Sequence, residues 1–446
     1  MAKPGTPELA RLTVVELASS IAQGELTPSE VAEAYLGRID LLEDRVQAWS
    51  HLDPDSVRAD AAILTAEAAR GQFRGPLHGI PIGIKDEFHM AGLVTQMAGP
   101  EIQREDAAAI TRLRAAGALI MGKTHMPIDG VNPPTRNPWN LAHTPGGTSS
   151  GSGAAVSARM VPVALGEQTA GSNLRPAAFC GIDAFKPTFG RISRFGVYPF
   201  SYSHDHVGII GLTMADVALV FSLLAGPDPR DPTTLPEPAP PADLEVETMR
   251  PPRVGVIRNF FPEHTEPVMH QAIEAAVARF RTAGAEIRDV FLPPDFATIW
   301  AIHRLVGGVE ALSIQSGRSA SDPGLSRSAS AVANSLIPAS YYVHAQRLRR
   351  HLHTEVQGVF TEVDALLLSV APGAAPKGLD STGDTTMLRP WSCLGYPAIT
   401  VNGGLSPDDL PLGLQLVGRP MADYQLLRVG AWAESVLGRL PSPPIG

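Results

Sequence analysis

Val31, Tyr35 and Ile39 recur at four-residue spacing and share one face of a helix. Two polar signatures precede such faces: Thr13 three residues ahead of Glu16, and Thr27-Pro28-Ser29-Glu30. Both have the form of a capping box, the second with proline in the first helical position. The first seventy residues are therefore predicted to be helical. From His78 to Ile84 the periodicity gives way to a short apolar run, which predicts a buried strand ending at Lys85-Asp86-Glu87. Asp106 to Gly122 reads as a helix followed by the strand ALIMG, ending at Lys123. Ala154 to Met160 is a small-residue helix, and Val161 to Leu165 another strand.

Val207 to Gly226 is the most apolar long stretch, but Asp216 interrupts it. Thr213 with Asp216 fits a helix start and Gly226 a stop, so a buried helix is predicted rather than a membrane span. Gly226 to Pro252, with LPEPAPPAD, reads as a surface connector. Arg253 to Ile257, a helix over His270 to Ala283, and AEIRDVFLP form a strand–helix–strand unit. Residues from about 296 to 363 are mainly helical, with SGRS, RSAS and ANS interruptions, and have the character of a cap over a site.

The chain has 446 residues, 44% hydrophobic and 18% charged, with a net charge of −9. No long basic run offsets that acidity, which argues against nucleic-acid binding. The N-terminus lacks the apolar core of a secretory signal, so a cytoplasmic location is expected. The two cysteines, Cys180 and Cys393, both in apolar settings, are expected to be buried free thiols.

The densest chemistry lies between His143 and Gly196. A Gly/Ser/Thr cluster, Gly146 to Gly153, lets backbone amides approach a ligand. A second tight turn, Thr169-Ala170-Gly171-Ser172, presents a hydroxyl amid N–H groups. This stretch resembles the signature of the amidase signature family of serine hydrolases. GPLHGIPIGIKDEF (Gly75 to Phe88) is similar to that family's lysine strand, and TRNPWNLAHTPGG (Thr135 to Gly147) to its lead-in. PWSCLGYPAITV and LPLGLQLVGRP, between Pro390 and Pro420, are similar to its closing segment. The likeness runs from about Leu9 onward.

The resemblance implies a large twisted mixed sheet of about eleven strands with helices on both faces, an α/β fold. It implies one domain over residues 1–446: N-terminal helices (1–70), catalytic core (71–225), Pro-rich connector (226–252), α/β and helical capping region (253–384) and a C-terminal segment (385–446). The reaction it implies is C–N hydrolysis of small, largely uncharged amides or carbamates through an acyl-enzyme, without cofactor or metal. Ser172 is the implied nucleophile, with the N–H groups of Thr169, Ala170, Gly171 and Ser172 as oxyanion hole. Lys85 matches the family's base. A lysine must be uncharged to act so, and burial away from carboxylates favours that form. Asp86 is expected to face the opposite side of the strand. Lys123 and Lys186 fit structural roles better.

Two positions depart from the family. Counting back 24 residues from Ser172, by the family's spacing, reaches Thr148, where relatives have a serine on a cis peptide. Threonine keeps the hydroxyl and adds a methyl, so Thr148 is the expected proton relay, with Ser149 the lesser alternative and impaired activity a third. Asn173 takes a place usually apolar in relatives. Candidate pocket residues are Met90, Met97, Pro133, Ser149, Asn173, Phe200, His204 and Trp300.

Other chemistries fit less well. Gly147 to Gly151 matches a G-x-S-x-G elbow, pairing Ser149 with His204 or His206 and Asp205, but no strand precedes it. The loop lacks the G-K-[ST] of a phosphate cradle. His204-x-His206 has no evident third zinc ligand. The expected partners are a small amide or carbamate and water, with no nucleic acid and no membrane, in a monomer or homodimer. The alternative is an amidase-type component of a transamidation complex.

Overall fold

The computed structural model describes residues 9–128, 130–316 and 329–445. Both N-terminal capping boxes close as predicted, starting helices Val14–Ala22 and Pro28–Val46 at Thr13 and Thr27. A further helix, Pro54–Ala69, completes the region. The region is not wholly helical, however. Trp49–Leu52 forms strand β1, an edge strand too short to announce itself by alternation.

The buried run after residue 78 becomes β2 (Pro81–Lys85), and β3 (Leu119–Thr124) and β4 (Val163–Gln168) lie parallel on either side of it. All residues of these three strands are buried, as parallel strands covered on both faces must be. Next come β5 (Asp183–Lys186) and β6 (His206–Gly211), then β7 (Arg253–Ile257) and β8 (Glu286–Val290). The last strands are β9 (Ala365–Ser369), β10 (Ala398–Leu405) and β11 (Pro411–Val417). All eleven join one mixed sheet in the order β1-β3-β2-β4-β6-β5-β10-β11-β9-β7-β8, with helices on both faces.

The apolar stretch at 207–226 divides into β6 and helix Met214–Leu224, whose first turn is capped by Thr213 as predicted. Asp216 turns its carboxylate elsewhere, accepting from Val15 N–H at 3.2 Å and so tying the first helix to this one. No helix among the described residues is long and apolar enough to cross a membrane. The Pro-rich stretch is strapped down more tightly than a plain connector: Arg191 donates to the carbonyls of Glu237 and Pro238 at 3.0 and 2.8 Å. The expected helical cap appears as Ile299–Ser316, Ala329–Ser335 and Ala339–Val359. SGRS lies mostly, and RSAS partly, outside the described residues. Cys180 and Cys393 are free and buried.

Candidate active site

Polar side chains are buried where the parallel strands end at their carboxyl edge. Lys85 closes β2 and is fully buried, and its Nζ donates to Thr148 Oγ1 at 2.7 Å. Strand alternation sends Asp86 the other way, onto Lys123 at 2.5 Å. The same alternation returns Glu87 to the Lys85 side, where the two pair at 2.9 Å. Glu167, near the end of β4, lies 3.5 Å from Lys85 Nζ. The expectation of a lysine buried away from carboxylates is thus overturned. Two glutamates flank it, because β2 and β4 are adjacent and parallel.

Burial pushes the Glu87 carboxyl up to about 7 and the Glu167 carboxyl well above its usual range. Thr169 Oγ1 sits 3.0 Å from Glu167 Oε1 and 2.8 Å from Asp205 Oδ1. One hydroxyl has one proton to donate, so one of these carboxyls must itself be the donor. Burial raises the Asp205 carboxyl too, but its Oδ2 accepts the N–H groups of Phe200 and Ser201 at 2.7 and 2.8 Å, which pulls it back toward the ionised form, whereas Glu167 is raised well above its usual range. The proton therefore rests on Glu167.

Gly146 and Gly147, both at positive φ, turn the chain so that Thr148 meets the lysine. No cis peptide occurs among the described residues, in contrast to what the resemblance implies at this position. Ser149 faces elsewhere: its Oγ donates to the Glu167 carbonyl at 3.3 Å and accepts from the Glu167 N–H at 3.2 Å. It holds the loop to β4 rather than reaching Lys85.

Every carbonyl of the turn 169–172 is engaged. Thr169 takes His303 Nε2–H at 3.1 Å, and Ala170 takes Ser392 Oγ at 2.9 Å. Gly171 takes Arg175 N–H at 3.2 Å, and Ser172 takes Ser149 N–H at 3.1 Å. The amides of the same four residues meet no acceptor among the described residues. Such a turn presents donors and hides acceptors. Ser172 retains 8% exposure and opens, with Thr148, Glu167, Thr169 and Ala170, onto a cavity of about 390 Å³. Phe200 and Ser201 form another part of its wall. His303, Arg304, Gly307, Gly308 and Ala311 come from helix Ile299–Ser316, and Arg389 from helix Arg389–Leu394.

The chain matches the family model described as Amidase over residues 30–427. It belongs to the amidase family. Among its curated amidase relatives is a component of the glutamyl-tRNA(Gln) amidotransferase of Chloroflexus aggregans, 35% identical over 95% of this chain and 96% of that one. The structure resembles the peptide amidase of Stenotrophomonas maltophilia (28% identity, TM-score 0.84, 98% and 99% covered). It also resembles the corresponding glutamyl-tRNA(Gln) amidotransferase component of Thermotoga maritima (26% identity, TM-score 0.81, 98% of each chain).

Most candidate pocket residues of this amidase lie outside the cavity wall; Phe200 is on it. Asn173 points into the sheet, where the cross-strand pair Gly166 and Gly208 leaves room for it, and donates to the Phe185 carbonyl at 3.1 Å. His204 stacks behind His303 with ring centroids 4.5 Å apart. Trp300 packs on Phe261 and donates to the Thr386 carbonyl at 2.8 Å. Pro133 is buried and Met90 packs on the core; neither they nor Met97 line the cavity. The wall is not uniformly apolar either, since Arg304 and Arg389 stand on it. Sequence reasoning missed Glu87, Glu167, His303 and both arginines. Glu87 was within reach of the same i, i+2 rule that separated Asp86 from Lys85.

Proposed function

We propose that this chain hydrolyses C–N bonds of small amides or carbamates through an acyl-enzyme on Ser172. The observation that carries the reading is the 2.7 Å contact of Lys85 with Thr148, beside a serine turn whose amides meet no acceptor among the described residues. Transfer of a Lys85 proton to Glu87, 2.9 Å away, leaves an amine. Ser172 then passes its proton to Thr148 Oγ1, which passes its own to Lys85, as Ser172 Oγ bonds to the substrate carbonyl carbon. Negative charge on the carbonyl oxygen meets the N–H groups of residues 169 to 172. Collapse expels the amine, which takes a proton back along the same relay. Water then adds to the ester by the same steps and frees the acid. Glu87 serves here as the proton partner of the base, and Glu167, already protonated, adds no second negative charge beside it.

A hydrolysis screen over aryl amides, aliphatic amides, carbamates and ureas, with Ser172→Ala as control, tests this reading. Turnover of at least one class, lost in the variant, supports it. Turnover that survives Ser172→Ala contradicts it. The likeness to amidotransferase components over nearly the whole chain favours a second reading, in which the site works inside a complex. Stable copurification of other proteins of such a complex from the native source separates the two.

A further inference from the structure

We infer that the Ser172 cavity selects amides carrying a carboxylate, and that Arg304 and Arg389 form the subsite that receives it. This rests on the hydrolase reading of the same cavity and adds the class of substrate. Both arginines line the cavity that Ser172 opens onto. Neither lies within ion-pair distance of a carboxylate among the described residues. That sets them apart from Arg58, Arg74, Arg114, Arg253, Arg258 and Arg288, each paired with an aspartate or glutamate. Arg389 Nε donates to Thr385 Oγ1 at 2.5 Å, which orients the fork and leaves both terminal nitrogens available. Its charge bears on His303, which places it beside the nucleophile turn that His303 holds.

Among the described residues Glu167 is the one acidic residue on the wall, and it is engaged with Thr169 and Lys85. The cavity therefore carries two cations with no carboxylate partner among the described residues, in a chain whose net charge is −9. An entering carboxylate is held by fork-shaped hydrogen bonds that a neutral group cannot match. Arg304 is exposed and Arg389 half-buried, so the anion sits toward the mouth and the scissile carbonyl toward the turn. Gly307, Gly308 and Ala311 contribute only backbone and a methyl group to the wall. The proposed substrate departs from the expectation of a largely uncharged one.

The test compares the monoamide of a short dicarboxylic acid with its methyl ester on the full chain at low salt. The acid is expected to have kcat/KM at least about 10-fold above the ester, a margin that shrinks as sodium chloride is added. In Arg304→Ala and Arg389→Ala the ratio of acid to ester should fall toward one, chiefly through KM. Equal rates for acid and ester in the unmodified chain overturn the subsite and leave the hydrolase reading standing. A phosphate-bearing amide preferred over the carboxylate overturns the assignment of the anion. If neither compound is hydrolysed, calorimetric titration of the acid monoamide decides: binding lost in both arginine variants supports the subsite, and no binding to the unmodified chain overturns it.

Discussion

Replacing Thr148 by valine keeps the branched shape and removes the hydroxyl that meets Lys85 Nζ at 2.7 Å. Thr148→Val should lower kcat by about 10²-fold or more if that hydroxyl relays protons, while Thr148→Ser should stay near the parent rate. Equal kcat for valine and threonine contradicts the relay. Glu167 gives a pH-dependent counterpart. Its carboxyl holds its proton to higher pH in the folded chain than the ordinary value of 4.5 allows in the unfolded one. The stability it contributes is full below that ordinary value and is lost as pH rises toward the raised one. Glu167→Gln, which keeps the side chain's shape without the titrating proton, should flatten the fall in denaturation midpoint as pH rises above the ordinary carboxylate value of 4.5. An unchanged slope would return the proton to Asp205. At this scale the meeting of Lys85 with Thr148 and the wall shared by Thr148 and Ser172 were legible because each residue ends or opens a recognisable run. Glu167 was not, because nothing local says which strand lies beside β2.

At the scale of elements, the loop before Thr148 depends on glycine. Gly147 has φ of 63°, and a Cβ there would lie 2.6 Å from Pro176 Cδ and 2.9 Å from the Ser172 carbonyl oxygen. Gly147→Ala should destabilise the fold by more than about 2 kcal/mol, read as a lowered denaturant midpoint at unchanged slope. A midpoint within error of the parent would mean that the loop tolerates another path. The helix after it starts at Ser150, ahead of the predicted Ala154, since serine and glycine are weak helix formers and tertiary packing decides. Capping boxes were readable because they are short-range chemistry. β1 and the placing of Asn173 between Gly166 and Gly208 were not, because both are pairings across the sheet.

Across the whole molecule, the sheet order interleaves early and late strands, and no periodicity in the chain encodes β5 lying beside β10. The family resemblance carried the single mixed sheet of about eleven strands, but not the order of its strands. The cavity accordingly draws on positions as far apart as Thr148, Phe200, His303 and Arg389, brought together only by the complete sheet and its helical cover. On the proposed reading, reactivity at Ser172 depends on the folded whole, since Thr148, Thr169, Ala170 and Ser172 share one cavity wall and Lys85 meets Thr148 behind it. Treatment of the native chain with a fluorophosphonate, followed by peptide mapping, tests this most directly. The expected result is one adduct, on the peptide containing Ser172, formed by folded protein and not by protein unfolded in denaturant. An adduct on Ser149 with Ser172 unmodified, or equal labelling of folded and unfolded chains, would contradict the account.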